Sequence, residues 1–160
     1  MPFIIGFTKN MPNKTINFCS SKEPYFDFSN FDRRHPINLD GKIWPSTEHY
    51  FQAKKFEGTE HEEAVRLTKT PAEAAEMGRR RDLPLRKDWE QVKDKVMYDA
   101  CYAKFTQFVD IQALLLSTGD ATLVEHTKND SYWGDGGDGT GENMLGRILM
   151  EIRTVLQSKP

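Results

Sequence analysis

The chain is poor in cysteine, in long apolar runs and in excess charge of either sign. Cys19 and Cys101 are its two cysteines in 160 residues. Neither belongs to a CxxC pair, which argues against a zinc cluster or a redox dithiol and for free thiols in a reducing compartment. The longest apolar stretches are short: Ile111 to Leu116 already contains Gln112, whereas a bilayer span takes about 20 predominantly apolar residues. No transmembrane helix and no membrane partner are expected. The N-terminal MPFIIGFTKN has no basic segment before its apolar stretch, and that stretch is too short for a signal peptide, so a cytoplasmic location is the default expectation. With 22 Lys+Arg against 24 Asp+Glu, the net charge of -2 excludes a general nucleic-acid or membrane coat. There is no GxSxG nucleophile elbow, no Walker lysine motif and no HExxH.

What is present suits one globular domain. Hydrophobic residues make up 38%, and 10 Phe, 5 Tyr and 3 Trp are enough to build a core. Residues 1–14 read as a loose arm, and 15–160 as a single domain. Thr15 to Ser20 has strand alternation, and Asp40-Gly41 between two short extended runs is a hairpin signal. Residues 21–35 read as an aromatic-rich loop. Helical spacing begins after Ser46, an N-cap candidate, and a second short helix covers Glu60 to Thr68. Thr70-Pro71-Ala72-Glu73 is a capping box opening a helix that Gly78 is expected to end. Further helices are expected from Asp88, over Asp110 to Ser117, and over Asn143 to Gln157, with a strand at Thr122 to His126. The fold class is therefore helix-dominated α+β, with short strands and a hairpin near the N-terminus.

Four stretches could carry chemistry. Glu48, Gln52 and Lys55 lie at i, i+4 and i+7, so they share one helix face. Glu48 stands in the first turn, where the helix dipole is expected to lower its pKa. The plainer alternative is a solvated, charge-complementary face. Arg79 to Lys87 holds five cations and one anion, either a phosphate-binding patch through Arg79 and Arg86 or a solvated charge run. Trp89 is either a core anchor or a stacking platform.

The fourth stretch is glycine-rich. Five of the 11 glycines fall between positions 134 and 141, behind Tyr132-Trp133 and ahead of Asn143. Gly134, Gly136 and Gly139 match GxGxxG in form, but too little chain follows for a dinucleotide fold, and the acid spacing fails an EF-hand. A loop lacking side chains at Gly134 and Gly136 allows close approach of a ligand, and the helix start after it could face an anion. A flexible surface loop is the alternative. These features outline a pocket for a planar, phosphorylated, ribose-bearing molecule.

Several ordered motifs together resemble the NADAR, or YbiA-like, family. They are Asp27-Phe28-Ser29-Asn30-Phe31, Asp40-Gly41-Lys42 through Trp44-Pro45, Glu48-His49-Tyr50-Phe51-Gln52-Ala53, Met77-Gly78-Arg79, Pro84-Leu85-Arg86 through Trp89, and Leu123 to Thr127 through Tyr132-Trp133-Gly134-Asp135-Gly136. The likeness runs from about Thr15 to Leu156. It implies an N-glycosidase acting on ribosylaminopyrimidine 5'-phosphates, the early intermediates of riboflavin biosynthesis, and releasing ribose 5-phosphate. Other branches of the family imply removal of ADP-ribose from guanine in nucleic acid, and an ADP-ribose-binding module without turnover is a third reading. The resemblance makes Glu48 the first catalytic candidate, with Asp130 or Asp135 as a second carboxylate. Substrate-binding candidates are Phe28, Ser29, Asn30, Gln52, Lys55, Arg79, Arg86, Trp89, Tyr132, Trp133, Gly134, Gly136 and Asn143. The expected partner is a small phosphoribosyl substrate, with no metal and no cofactor. The oligomeric state is left open.

Overall fold

The computed structural model describes residues 13–160, so the expected N-terminal arm lies outside the described residues except for Asn13 and Lys14. The elements follow the sequence pattern closely. Strand β1 (Thr15–Phe18) pairs in parallel with β4 (Thr122–Glu125), and β2 (Ile37–Leu39) pairs antiparallel with β3 (Lys42–Trp44). Helices are α1 (Thr47–Lys54), α2 (Glu60–Arg66), α3 (Pro71–Arg79), α4 (Trp89–Gln107), α5 (Val109–Ser117) and α6 (Met144–Gln157). The architecture is the expected helix-dominated α+β. Among the described residues no helix is long and apolar enough to cross a membrane.

Local chemistry explains most boundaries. The hairpin turns at Asp40 and Gly41, both at positive φ (55° and 75°), as its tight turn requires. Ser46 caps α1 by accepting from the His49 N–H, and Thr70 caps α3 by accepting from that of Glu73. The 21–35 loop contains one 3-10 turn, Phe26–Phe28.

Gly78 corrects an expectation. It does not end α3 but lies inside it, one residue before its end. A Cβ there would stand 1.8 Å from the Gln52 Oε1, so the glycine is required for α3 to pack on α1.

Two apolar clusters form the core. One joins α4, α5 and α6 to β1 and β4 through Phe18, Phe105, Leu123, Leu149 and Ile152. The other joins the hairpin to α1, α2 and α3 through Ile37, Trp44, Phe56, Val65 and Ala74. Helix α1 runs between them, with Phe51 in the first and Tyr50 and Ala53 in the second. Every residue of α1 is buried, so the expected solvated face does not exist. A polar stripe on such a helix must be satisfied internally or face a cavity.

Candidate active site

That stripe faces a cavity. Glu48, Phe51, Gln52 and Lys55, at i, i+3, i+4 and i+7, line a cleft of about 530 Å³. The opposite walls come from the Ser29–Phe31 segment, from α3 (Arg79), from α4 (Trp89, Lys93, Met97), from the end of β4 (Glu125), and from Asp130, Tyr132 and Trp133. A volume of this size suits a mononucleotide-like ligand.

Glu48 is 8% exposed. Its N–H donates to the Asn30 carbonyl (3.2 Å), and its Oε1 accepts from the Gln52 amide (2.7 Å). The helix dipole does not decide its protonation as expected. Burial raises the carboxyl above the ordinary range, against the lowering effects of Gln52 and Lys55. The Oε1 of Gln52, turned onto Gly78, is buried without a hydrogen-bond partner among the described residues.

Lys55 is 7% exposed. Its ammonium donates to the Gly78 carbonyl (3.2 Å) and lies 5.6 and 5.7 Å from the Phe51 and Trp89 ring centres. Burial, with Arg81 and Arg79 nearby, pulls it down to about 8. Arg79 is exposed at the cavity, with no carboxylate within 4 Å among the described residues. Phe51 stands edge-on to Trp133 at 5.2 Å and tilted to Trp89 at 5.0 Å, so Trp89 anchors the core and also lines the cavity. Tyr132 carries Lys93 over its face at 4.0 Å and donates to Asp94. Thus Trp133 and Glu48 share one cavity.

The loop from 26 to 35 is held to this site from below. Lys104, buried in the last turn of α4, donates to the carbonyls of Asp27 (2.5 Å) and Ser29 (3.0 Å) and lies 3.5 Å from Asp32. Asn30 then accepts from the Thr47 hydroxyl (2.8 Å) and donates to the Met97 sulfur (3.3 Å). Ser29 and Asn30 reach the cavity; Phe28 does not. It is packed against Phe18, Tyr25 and Phe105 in the core.

Other expected site residues are also placed elsewhere. Arg86 is engaged by Asp88 and Glu57 and is not part of the cavity wall. Asp135 is turned into its own loop. It accepts from the Thr127 and Gly137 N–H groups and pairs with His126 (2.8 Å), which hold its carboxyl below the usual range although burial opposes this. Gly134 serves close packing, since a Cβ would meet the Thr127 methyl at 2.6 Å and the Glu125 carbonyl at 2.8 Å. Gly136 takes φ 73° in a turn. Asn143, at φ 52°, ties α6 to β4 by accepting from the Glu125 N–H and donating to the Leu123 carbonyl. The first N–H groups of α6 do not face an anion: those of Met144 and Leu145 donate to the Tyr132 and Trp133 carbonyls. The glycine-rich segment therefore supports the cavity from behind, and Asp130 to Trp133 form its wall.

Asp130 does lie in the cavity, its Oδ1 accepting from the N–H groups of Tyr132 and Trp133. Sequence reasoning missed Glu125. Strand alternation could have found it, because Glu125 shares the inward face with the fully buried Leu123.

The fold is an α+β domain holding an acid-lined, aromatic-walled cavity. The chain belongs to the NADAR family: the NADAR domain matches residues 7–157. It is 54% identical over 146 residues to the N-glycosidase YbiA of Escherichia coli strain K12, covering 91% of each chain. The NMR structure of E. coli YbiA superposes with a TM-score of 0.84, covering 92% of this chain and 87% of that one. An N-glycosidase of Nostoc punctiforme is 41% identical, over 90% of this chain and 94% of that protein. A riboflavin biosynthesis protein of Vibrio vulnificus is 39% identical, over 92% of this chain and 40% of that longer protein.

Proposed function

We propose that this protein is an N-glycosidase that hydrolyses the ribosyl C1'–N bond of ribosylaminopyrimidine 5'-phosphates, releasing ribose 5-phosphate. The observation that carries the reading is the cavity itself, in which buried Glu48 stands on one helix stripe with Lys55, opposite Trp133 and beside Arg79. The N-glycosidase names of the E. coli and Nostoc relatives and the riboflavin name of the Vibrio relative support it.

Breaking a ribosyl C1'–N bond leaves positive charge on C1' and the ring oxygen. A carboxylate held in a water-poor cleft stabilises that charge more strongly than water does, because little reorganisation is needed. Glu48 takes this role and then accepts a proton from the attacking water. Gln52 fixes its orientation by donating to Oε1. The planar base lies against Trp133 and Trp89. Arg79 binds the 5'-phosphate through its guanidinium, and Lys55 supplies positive charge deeper in the cleft. Asp130 and Asn30 contact the ribose hydroxyls.

The test is a comparison of two substrates on one preparation. Ribose 5-phosphate should appear from the aminopyrimidine 5'-phosphates faster than ADP-ribose appears from ADP-ribosylated guanine. The reverse order overturns the substrate assignment in favour of a nucleic-acid-directed hydrolase. Calorimetric binding of ADP-ribose with no product from either substrate replaces it with a binding module.

A further inference from the structure

Glu125 is the last residue of β4, and its position is unusually well determined. Its N–H donates to the Asn143 Oδ1 (3.0 Å), and its carbonyl accepts from the Asp135 N–H (2.9 Å). In the parallel register it lies beside Phe18 of β1. Alternation puts its side chain on the same face as Leu123, whose side chain is wholly buried. The apolar core ends at that point and the cavity begins, so the Glu125 carboxyl projects into the cavity wall.

The groups around it are almost all acidic or neutral. The charges acting on it are those of Glu48 on α1 and of Asp130 and Asp135 in the following loop, the last turned into its own hydrogen bonds; the Cys101 thiol lies nearby on α4, and Asn143 touches its backbone ahead of α6. Among the described residues no cation comes within 4 Å of the carboxyl and no side chain or backbone N–H donates to it. The site's cations act on Glu48 instead: Lys55 and Arg79, with the Gln52 amide, oppose its burial, although its carboxyl still stands above the ordinary range. Two neighbouring carboxyl groups thus have different environments, one with an amide donor and cations, the other with none. Such an asymmetry separates a proton donor from a carboxylate.

The geometry points to Glu125 as the proton donor to the leaving nitrogen in the reaction proposed above, on which this inference rests. The Glu125 O–H bond breaks and its proton goes to the departing nitrogen. The C1'–N bond breaks and its electron pair stays on that nitrogen. Water adds its hydroxyl to C1' and gives its proton to Glu48. Solvent then carries that proton back to Glu125, so one water is consumed and both carboxyl groups are restored. Burial, with Asp130, Glu48 and Asp135 nearby, pushes Glu125 up to about 8, so it holds its proton at neutral pH.

The test pairs kinetics with direct titration. In the wild type, kcat/KM on the aminopyrimidine substrate should fall as pH rises through about 8. Glu125→Gln should lower kcat at pH 7 by at least about 10²-fold and flatten that high-pH limb to the part that Lys55, also near 8, contributes through substrate binding. Carboxyl ¹³C NMR of wild-type protein, assigned by its loss in Glu125→Gln, should show one glutamate titrating in the same range. A folded Glu125→Gln variant with wild-type rate and an unchanged limb overturns this role and leaves the N-glycosidase reading standing. A Glu125 carboxyl that titrates in the ordinary range, around pH 4–5, overturns it without any substrate. A wild type that hydrolyses no ribosyl–nitrogen substrate overturns both the reading and this role.

Discussion

Two of the places where the chain buries charge treat it differently. Beneath the 26–35 loop, Asp32 meets His35 (2.6 Å), Arg34 (3.0 Å) and Lys104 (3.5 Å), while His35 spans on to Asp110 (3.0 Å) and Lys104 to two carbonyls. Burial opposes the Asp32 carboxylate, but the Lys104 charge and hydrogen bonds from His35 and Arg34 hold it below the usual range. In the cavity, Glu48, Glu125 and Asp130 converge, and the cations Lys55 and Arg79 act on Glu48 but form no ion pair within 4 Å of these acids among the described residues. There burial wins, and both glutamates are raised. A matched cluster stabilises a loop. A cluster short of partners is kept at a cost in stability, which is the mark of a site where ligand or reaction supplies the missing charge.

Breaking the matched cluster should have the largest effect. Asp32→Ala leaves the Lys104 ammonium buried beside no carboxylate but distant ones, and should cost about 3–5 kcal/mol in urea denaturation. A loss under about 1 kcal/mol would show that the cluster does not hold the loop. Next is the unmatched cluster. Glu48→Gln should lower kcat by at least about 10²-fold while leaving the thermal midpoint unchanged or raised, since a buried acid is removed. Full turnover by the folded variant takes Glu48 out of the reaction.

The two clusters should also respond to pH with opposite sign. Asp32 has a lowered folded pKa, so its stabilisation is complete above its unfolded value near 3.8 and fades as pH falls through the folded value. Glu125 has a raised one, so the folded state loses stability as pH climbs from about 4.5 to about 8. Denaturation across pH should show Glu125→Gln gaining on wild type over that range, by up to about 5 kcal/mol for the full shift from about 4.5 to about 8. An advantage that does not change with pH would place the Glu125 proton elsewhere.

The smallest effects separate the two arginines. Arg79→Ala should raise KM about tenfold with kcat largely kept, the loss expected for one charge-assisted hydrogen bond to phosphate. Arg86, held by Asp88 and Glu57 at the surface, should change KM by no more than about twofold and stability by under about 1 kcal/mol when replaced by alanine. Equal KM effects would return Arg86 to the ligand.

What the sequence determined by itself is local. Strand alternation, the Asp40-Gly41 turn, the Ser46 and Thr70 caps and the amphipathic spacing of α6 depend on residues within a few positions of one another, and each took its expected form. The Glu48, Gln52, Lys55 face was legible for the same reason. Tertiary structure decided everything that depends on neighbours distant in the chain. Burial on all sides of α1 reversed the expected effect of the dipole on Glu48. Partners settled which charges remain available: Arg86 met Glu57 and Asp135 met His126, whereas Arg79 and Asp130 were left in the cavity. Glycines chosen by spacing as ligand contacts proved to be packing contacts at Gly134 and a turn at Gly136. Glu125, unremarkable in sequence, became a cavity acid because the core ends one residue pair beyond Leu123. Local geometry is set by covalent neighbours and short hydrogen bonds. Desolvation and charge pairing act through space, and only the folded chain brings those groups together.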